Sequence, residues 1–194
     1  GIEPAQNVAK VATDAGIPTL AKFFGTQTAS ELVLQGKQAD LLLGNNVLAH
    51  VPNLNDFVAG LKILLKPDGV ITMEFPHLLS LIQENQFDTI YHEHFSYFSL
   101  LSVCAVFEKY GLALFDVEIL PTHGGSLRIY ACHSDNRSKI VTGQVAALLE
   151  KEVRFGLNTL VPYFAFGEQV KAVKKGLIDF FAEAKKAGKT VVGY

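Results

Sequence analysis

Between residues 17 and 75 the chain alternates short apolar runs with longer amphipathic stretches, and this alternation restricts the folds open to it. Asp40 to Leu43 is an apolar run short enough for a buried parallel strand, and it ends at Gly44-Asn45-Asn46. Val70 to Phe75 is a second run of this kind, and Ile17 to Ala21 is a shorter candidate. The intervening segments have helical spacing. Val8, Val11 and Ala12 share one face of a helix over 5–15, opened by Pro4 and stopped by Gly16. Ala29, Leu32 and Val33 do the same over 27–35. Pro52-Asn53 opens a helix through Leu65, whose stripe is Phe57, Val58, Leu61, Leu64 and Leu65. Lys66-Pro67-Asp68-Gly69 has the composition of a turn. Strand–helix alternation at this spacing predicts an α/β protein with a parallel sheet.

The second half follows a different rhythm. Leu100 to Tyr110 reads as a helix with Val103, Val106 and Phe107 inward and Gly111 as its cap. Leu112 to Pro121 and Ser126 to His133 read as two β segments joined by Thr122-His123-Gly124-Gly125, the antiparallel pair that often finishes an α/β sheet. Residues 138–155 and 165–187 read as helices, and a strand begins near 190. A domain boundary is expected near 134–138, giving units over 1–134 and 135–194. The start reads as the tail of a strand and the end as a strand just begun, so a piece of a longer polypeptide is expected.

Composition narrows the function classes. Apolar residues make up 49% and charged residues 19%, enough apolar surface for a sizeable core. The net charge of -2 provides no broad basic field, so nucleic acid is not the expected partner. The lysines at 171, 174, 175, 185 and 186 read as a solvated helix face. No apolar run reaches the length of a membrane span. Two cysteines, Cys104 and Cys132, make no disulfide framework, and a cytoplasmic location is expected.

Chemistry concentrates in residues 74–99, which hold three of the six histidines. Tyr91, Glu93 and His94 can surround one volume if the segment is a turn or short coil. A neutral His94 can take a proton from a carbon next to a carbonyl, provided the oxygen's growing charge is stabilised by a donor such as Tyr91 or a second histidine. Glu93 would hold or tune a histidine. A metal site built from His92, Glu93 and His94 is the competing reading, and a structural polar turn is another. Asn45, Asn46 and His50 follow a parallel strand at its carboxyl end, where open α/β sheets place ligands. Glu3 follows a strand end, where a carboxylate can accept the hydroxyls of a ribose or favour the first helical turn. His123 and Arg128 could meet an anionic group such as a diphosphate, across a turn whose two glycines permit close approach.

Five stretches together carry a resemblance: Glu3-Pro4, the run from Asn45 to Pro52, Glu74-Phe75-Pro76-His77, the run from Gln86 to His94, and the run from His123 to Arg128. They resemble the sugar C-methyltransferases, which move a methyl group from S-adenosylmethionine to carbon 3 of nucleotide-activated 4-keto deoxysugars. The resemblance covers essentially the whole chain, and its central motif is long and specific. It implies a class I, Rossmann-like methyltransferase fold without its first strand and glycine-rich loop over 1–134, followed by the start of a C-terminal α/β domain. Zinc is expected only in a separate N-terminal domain, and no metal is expected here. The resemblance further implies that Glu3 binds the cofactor ribose, that Phe23 and Phe24 lie near its adenine, and that Asn45 and Asn46 lie beside its methionine end. His94 becomes the general base, Tyr91 and His50 stabilise the enolate, and Glu93 supports them. His123 and Arg128 fall on the sugar-nucleotide side. Self-association through an exposed sheet edge is a further expectation. Two other readings compete with methyl transfer: a non-catalytic α/β fragment for binding or assembly, and a keto-sugar epimerase or dehydratase.

Overall fold

The computed structural model describes residues 1–193. Its first helices are α1 (Gln6–Asp14) and α2 (Thr26–Leu34), followed by strand β1 (Ala39–Asn45), helix α3 (Leu54–Leu64) and strand β2 (Leu65–Pro76). Helices α4 (Leu78–Gln83) and α5 (Leu100–Lys109) lead to strands β3 (Leu112–Leu120) and β4 (Ser126–His133), then to α6 (Gly143–Phe155) and α7 (Val161–Lys186). Among the described residues the four strands form one sheet in the order β1-β2-β4-β3. β1 and β2 are parallel, and β4 runs antiparallel to both of its neighbours, β2 and β3. This is the expected parallel α/β sheet with an antiparallel finish.

Local chemistry explains two of the helix starts. Asn53 caps α3 by accepting the Asp56 N–H at 3.2 Å. Ser99 and Ser102 close a reciprocal capping box at the start of α5. Gly25 and Gly60 let α2 approach α3 closely: a Cβ on Gly60 would lie 2.7 Å from the Gly25 backbone. There Asp56 Oδ1 accepts from the Thr26 hydroxyl and backbone N–H. The core lies between the sheet and its helices, with Phe75, Phe107, Leu127 and Ile129 fully buried.

Several expectations change. Ile17 to Ala21 makes only a single parallel bridge, Leu20 to Ile2, because a short run with one partner cannot extend a ladder. Lys66-Pro67-Asp68-Gly69 is not a free turn but lies within β2, as a bulge between the pairs Ala39–Leu65 and Leu41–Val70. Gly69 makes it possible, since a Cβ there would stand 2.7 Å from Leu65 Cδ1 and 2.9 Å from the Ala39 carbonyl oxygen. The helix expected from 138 starts at Gly143, and the one expected from 165 starts at Val161, with Pro162 in its first turn. Residues 189–193 carry no strand, and the remainder of the strand expected from 190, Tyr194, lies outside the described residues. The core also runs through the expected boundary, for Val145 and Leu148 of α6 pack into the sheet's own cluster.

Candidate active site

The carboxyl ends of β1 and β2 support two pieces of chain that meet. After β1 a 3-10 turn, Leu48–His50, buries Leu48 and Ala49 and leaves His50 at the surface of the core. After β2 and α4, residues 86–98 run back across this turn. The Phe95 and Ser96 N–H groups both donate to the Ala49 carbonyl, at 2.9 and 3.3 Å. Leu78 N–H donates to the Phe98 carbonyl at 2.9 Å and closes the base of the segment. The histidine-rich stretch is therefore a loop tied down at its root and at its crossing point.

Two histidines are fixed in the same way. His94 Nδ1 lies 2.9 Å from the Thr89 carbonyl oxygen, and His50 Nδ1 lies 2.9 Å from that of Glu93. A carbonyl only accepts, so each Nδ1 carries a proton, and the lone pair of the neutral form falls on Nε2. His94 Nε2 lies 3.3 Å from the Tyr91 hydroxyl. The rings of His50 and Tyr91 flank His94, with centroids 4.8 and 4.4 Å away, and Tyr97 meets it edge-on at 5.7 Å. The arrangement presents a base, a hydroxyl donor and a second imidazole around one small volume.

Most of the expected cofactor residues gather on the other side of His50. A cavity of about 1140 Å³ runs along β1, lined by Glu3, Phe23, Phe24, Asn46 and His50 among others. It is large enough for a nucleotide-sized ligand. Glu3 gives one carboxylate oxygen to the Ala5 N–H at 2.8 Å, which leaves the other for a ligand hydroxyl. Asn46 takes the left-handed conformation, φ 56°, and its N–H donates to the Glu74 carbonyl at 2.8 Å. Phe23 is exposed to the cavity, whereas Phe24 packs edge-on against Phe57 at 5.2 Å and is mainly core. Asn45 is exposed in register with Glu74 and stands apart from the cavity lining.

Three expected roles take a different form. Glu93 reaches His50 through its backbone carbonyl; among the described residues its carboxylate makes no hydrogen bond. Arg128 is held on the sheet between Glu74 at 3.0 Å and Glu118 at 3.2 Å, directly across β2, β4 and β3. The Glu74 hydrogen bond, with a smaller one from Tyr130, raises its pKa. One cation between two carboxylates leaves a net negative cluster, a poor seat for a diphosphate. His123 is exposed in the left-handed conformation, φ 52°, at a turn whose Gly124 carbonyl accepts from Gln86 Nε2 at 2.8 Å. It therefore stands beside the same loop that carries His94. Among the described residues no three metal-ligating side chains converge.

Sequence reasoning missed Thr89 and Tyr97. Thr89 acts through a carbonyl, which leaves no residue-type signal. Tyr97 shares that carbonyl through its hydroxyl at 3.5 Å and also lines a second, apolar cavity of about 710 Å³. It falls within residues 74–99, but its contact with His94 depends on the loop's curl.

The sheet and its ligand face define a class I, Rossmann-like methyltransferase fold. The magnesium protoporphyrin IX methyltransferase of Synechocystis PCC 6803 superposes with a TM-score of 0.52 over 69% of this chain and 63% of that one, at 12% identity. A SAM-dependent methyltransferase of Thermotoga maritima gives 0.51 over 70% and 72%, at 14% identity. These likenesses establish the fold alone. Residues 1–117 match the methyltransferase domain family, and residues 121–194 match the C-methyltransferase C-terminal domain. The chain belongs to the methyltransferase domain family. It is 37% identical to the C-methyltransferase NovU of Streptomyces niveus over 194 residues, all of this chain and 46% of that protein. The chain thus spans a little under half the length of this curated relative. Among the described residues no helix is long and apolar enough to cross a membrane.

Proposed function

We propose that the protein to which these residues belong transfers a methyl group from S-adenosylmethionine to carbon 3 of a nucleotide-activated 4-keto deoxysugar, through an enolate. The observation that carries this reading is the seating of His94 Nδ1 on the Thr89 carbonyl, 2.9 Å away. Its Nδ1–H is held by the Thr89 carbonyl, so Nε2 offers a lone pair beside the Tyr91 hydroxyl. A 4-keto group acidifies the proton on carbon 3, and a neutral imidazole is a suitable base for it near neutral pH.

The residues divide the work. His94 Nε2 takes the proton. The Tyr91 hydroxyl turns its hydrogen toward the carbonyl oxygen as negative charge develops there. His50, held through the Glu93 carbonyl, stands between this cluster and the large cavity, so the substrate's carbon 3 comes to rest at that junction. Glu3, Phe23 and Asn46 would hold S-adenosylmethionine in the cavity: Glu3 on the ribose hydroxyls, Phe23 against the adenine, Asn46 near the methionine end. When bound, it supplies an electrophilic methyl on a sulfonium, whose sulfur departs with the bonding pair as a neutral thioether and needs no acid. His123 stands at the rim on the sugar-nucleotide side.

The test uses the full-length protein, a labelled methyl donor and a panel of 4-keto deoxysugar nucleotides. Replacing a general base typically removes ~10²–10⁴-fold of rate, so His94→Asn is expected to lower turnover by this amount. Undiminished turnover in His94→Asn would overturn the assignment.

A further inference from the structure

Glu152 is a fully buried carboxylate in α6 that the reaction does not use. Its Oε1 lies 2.7 Å from His77 Nε2 and accepts from the Leu100 N–H at 2.7 Å. Its Oε2 accepts from the Leu101 N–H at 2.9 Å. Two backbone N–H groups and one imidazole therefore converge on a single carboxyl group at the N-terminus of α5.

The partners' positions give this cluster its meaning. His77 directly precedes α4, while Leu100 and Leu101 open α5. Everything between them, including Tyr91, His94 and Tyr97, is a single excursion of the chain. Glu152 grips both of its ends from a third element. The Ser99–Ser102 box uses the N–H groups of those two residues and leaves those of Leu100 and Leu101 to Glu152, so the side chain that completes the start of α5 is also the one that meets His77. A buried charge is a costly means of stabilisation where apolar packing would serve, and well-attested uses of such groups fix geometry.

We propose that Glu152 is a positioning residue that holds the two ends of the 78–99 excursion together so that His94 and Tyr91 face His50. The proposal rests on the reading of His94 as the base. It places a determinant of catalytic geometry in α6, within the stretch that matches the C-methyltransferase C-terminal domain.

The test compares full-length wild type with Glu152→Gln, whose amide turns an N–H toward one of the three groups that Glu152 meets. Glu150→Gln on the exposed face of the same helix is the control. Amide hydrogen exchange is followed over 86–97 and over β4, with methyl-transfer kinetics alongside. Glu152→Gln is expected to speed exchange in 86–97 about tenfold while β4 keeps its protection. Its kcat is expected to fall about tenfold, with the KM for the methyl donor within about twofold. Wild-type exchange in 86–97, or an equal rise in 86–97 and β4, would overturn the proposal. If Glu152→Gln does not fold, His77→Phe tests the near end alone: about threefold faster exchange in 86–97 supports the proposal and none overturns it. Undiminished transfer by His94→Asn would instead strike the catalytic reading, and the exchange result would stand apart from it.

Discussion

The two flanks of the sheet are built on different terms. On the β3 and β4 side, α5 and α6 close over the sheet, Phe107 and Leu112 are fully buried, and Glu152 meets the His77 ring and two backbone N–H groups. On the β1 side, Leu41 and Leu43 are 55% and 65% exposed, Phe23 is 76% exposed, and the large cavity runs along the strand. The His94 loop hangs between them. It is rooted in the closed flank through His77 and α5, and it reaches across to the open flank at Ala49 and His50. The contrast teaches a division of labour: the closed flank fixes His94, proposed as the base, and the open flank keeps the cavity proposed for the methyl donor.

The sharpest way to break this contrast is truncation of one aromatic on each side. Phe107→Ala is expected to cost about 3–5 kcal/mol in urea unfolding, as large cavities in closed cores do. A loss below about 1 kcal/mol would mean that the closed flank is not tightly packed. Next in size is the reactivity of Cys104. Burial, chiefly, raises its thiol from 9.0 to about 11, with Glu108 and Glu152 adding to the shift. The thiolate is the reactive form, so alkylation at pH 8 should be roughly a hundredfold slower than for a thiol titrating at 9.0, and should keep rising with pH toward 11. A rate profile that levels off near pH 9 would show an open α5. A smaller effect is expected at Ser99, where loss of the cap in Ser99→Ala should cost about 1 kcal/mol by thermal unfolding. Smallest of all, Phe23→Ala on the open flank should alter stability by less than about 0.5 kcal/mol, while raising the KM for the methyl donor. An unaltered KM would remove Phe23 from the donor site.

Much of this was legible in the sequence, for identifiable reasons. The runs Asp40–Leu43 and Val70–Phe75 carry the strand period, and the stripe of α3 carries the helical one. The clustering of Tyr91 and His94 followed from their spacing of three. His50 could be placed because it follows a parallel strand at its carboxyl end. What escaped was information held in backbone groups and long-range partners. The Thr89, Glu93 and Ala49 carbonyls orient the site without any side-chain signature. Lys66-Pro67-Asp68-Gly69 has turn composition, yet the pairing of β2 with β1 absorbs it as a bulge. Arg128 looked like a free cation because nothing local reveals that Glu74 and Glu118 come to lie beside it. Glu152 sits in a stretch of ordinary helical residues, and only folding brings His77 to it.

The central claim is that His94 removes the proton from carbon 3. It can be tested without any methyl donor, by incubating the full-length protein with 4-keto deoxysugar nucleotides in deuterated water and following carbon 3 by NMR. The account predicts that wild type exchanges this proton with at least one member of the panel, and that His94→Asn exchanges it about 10²–10⁴-fold more slowly. Exchange by His94→Asn at the wild-type rate, or none by wild type across the panel, would contradict it.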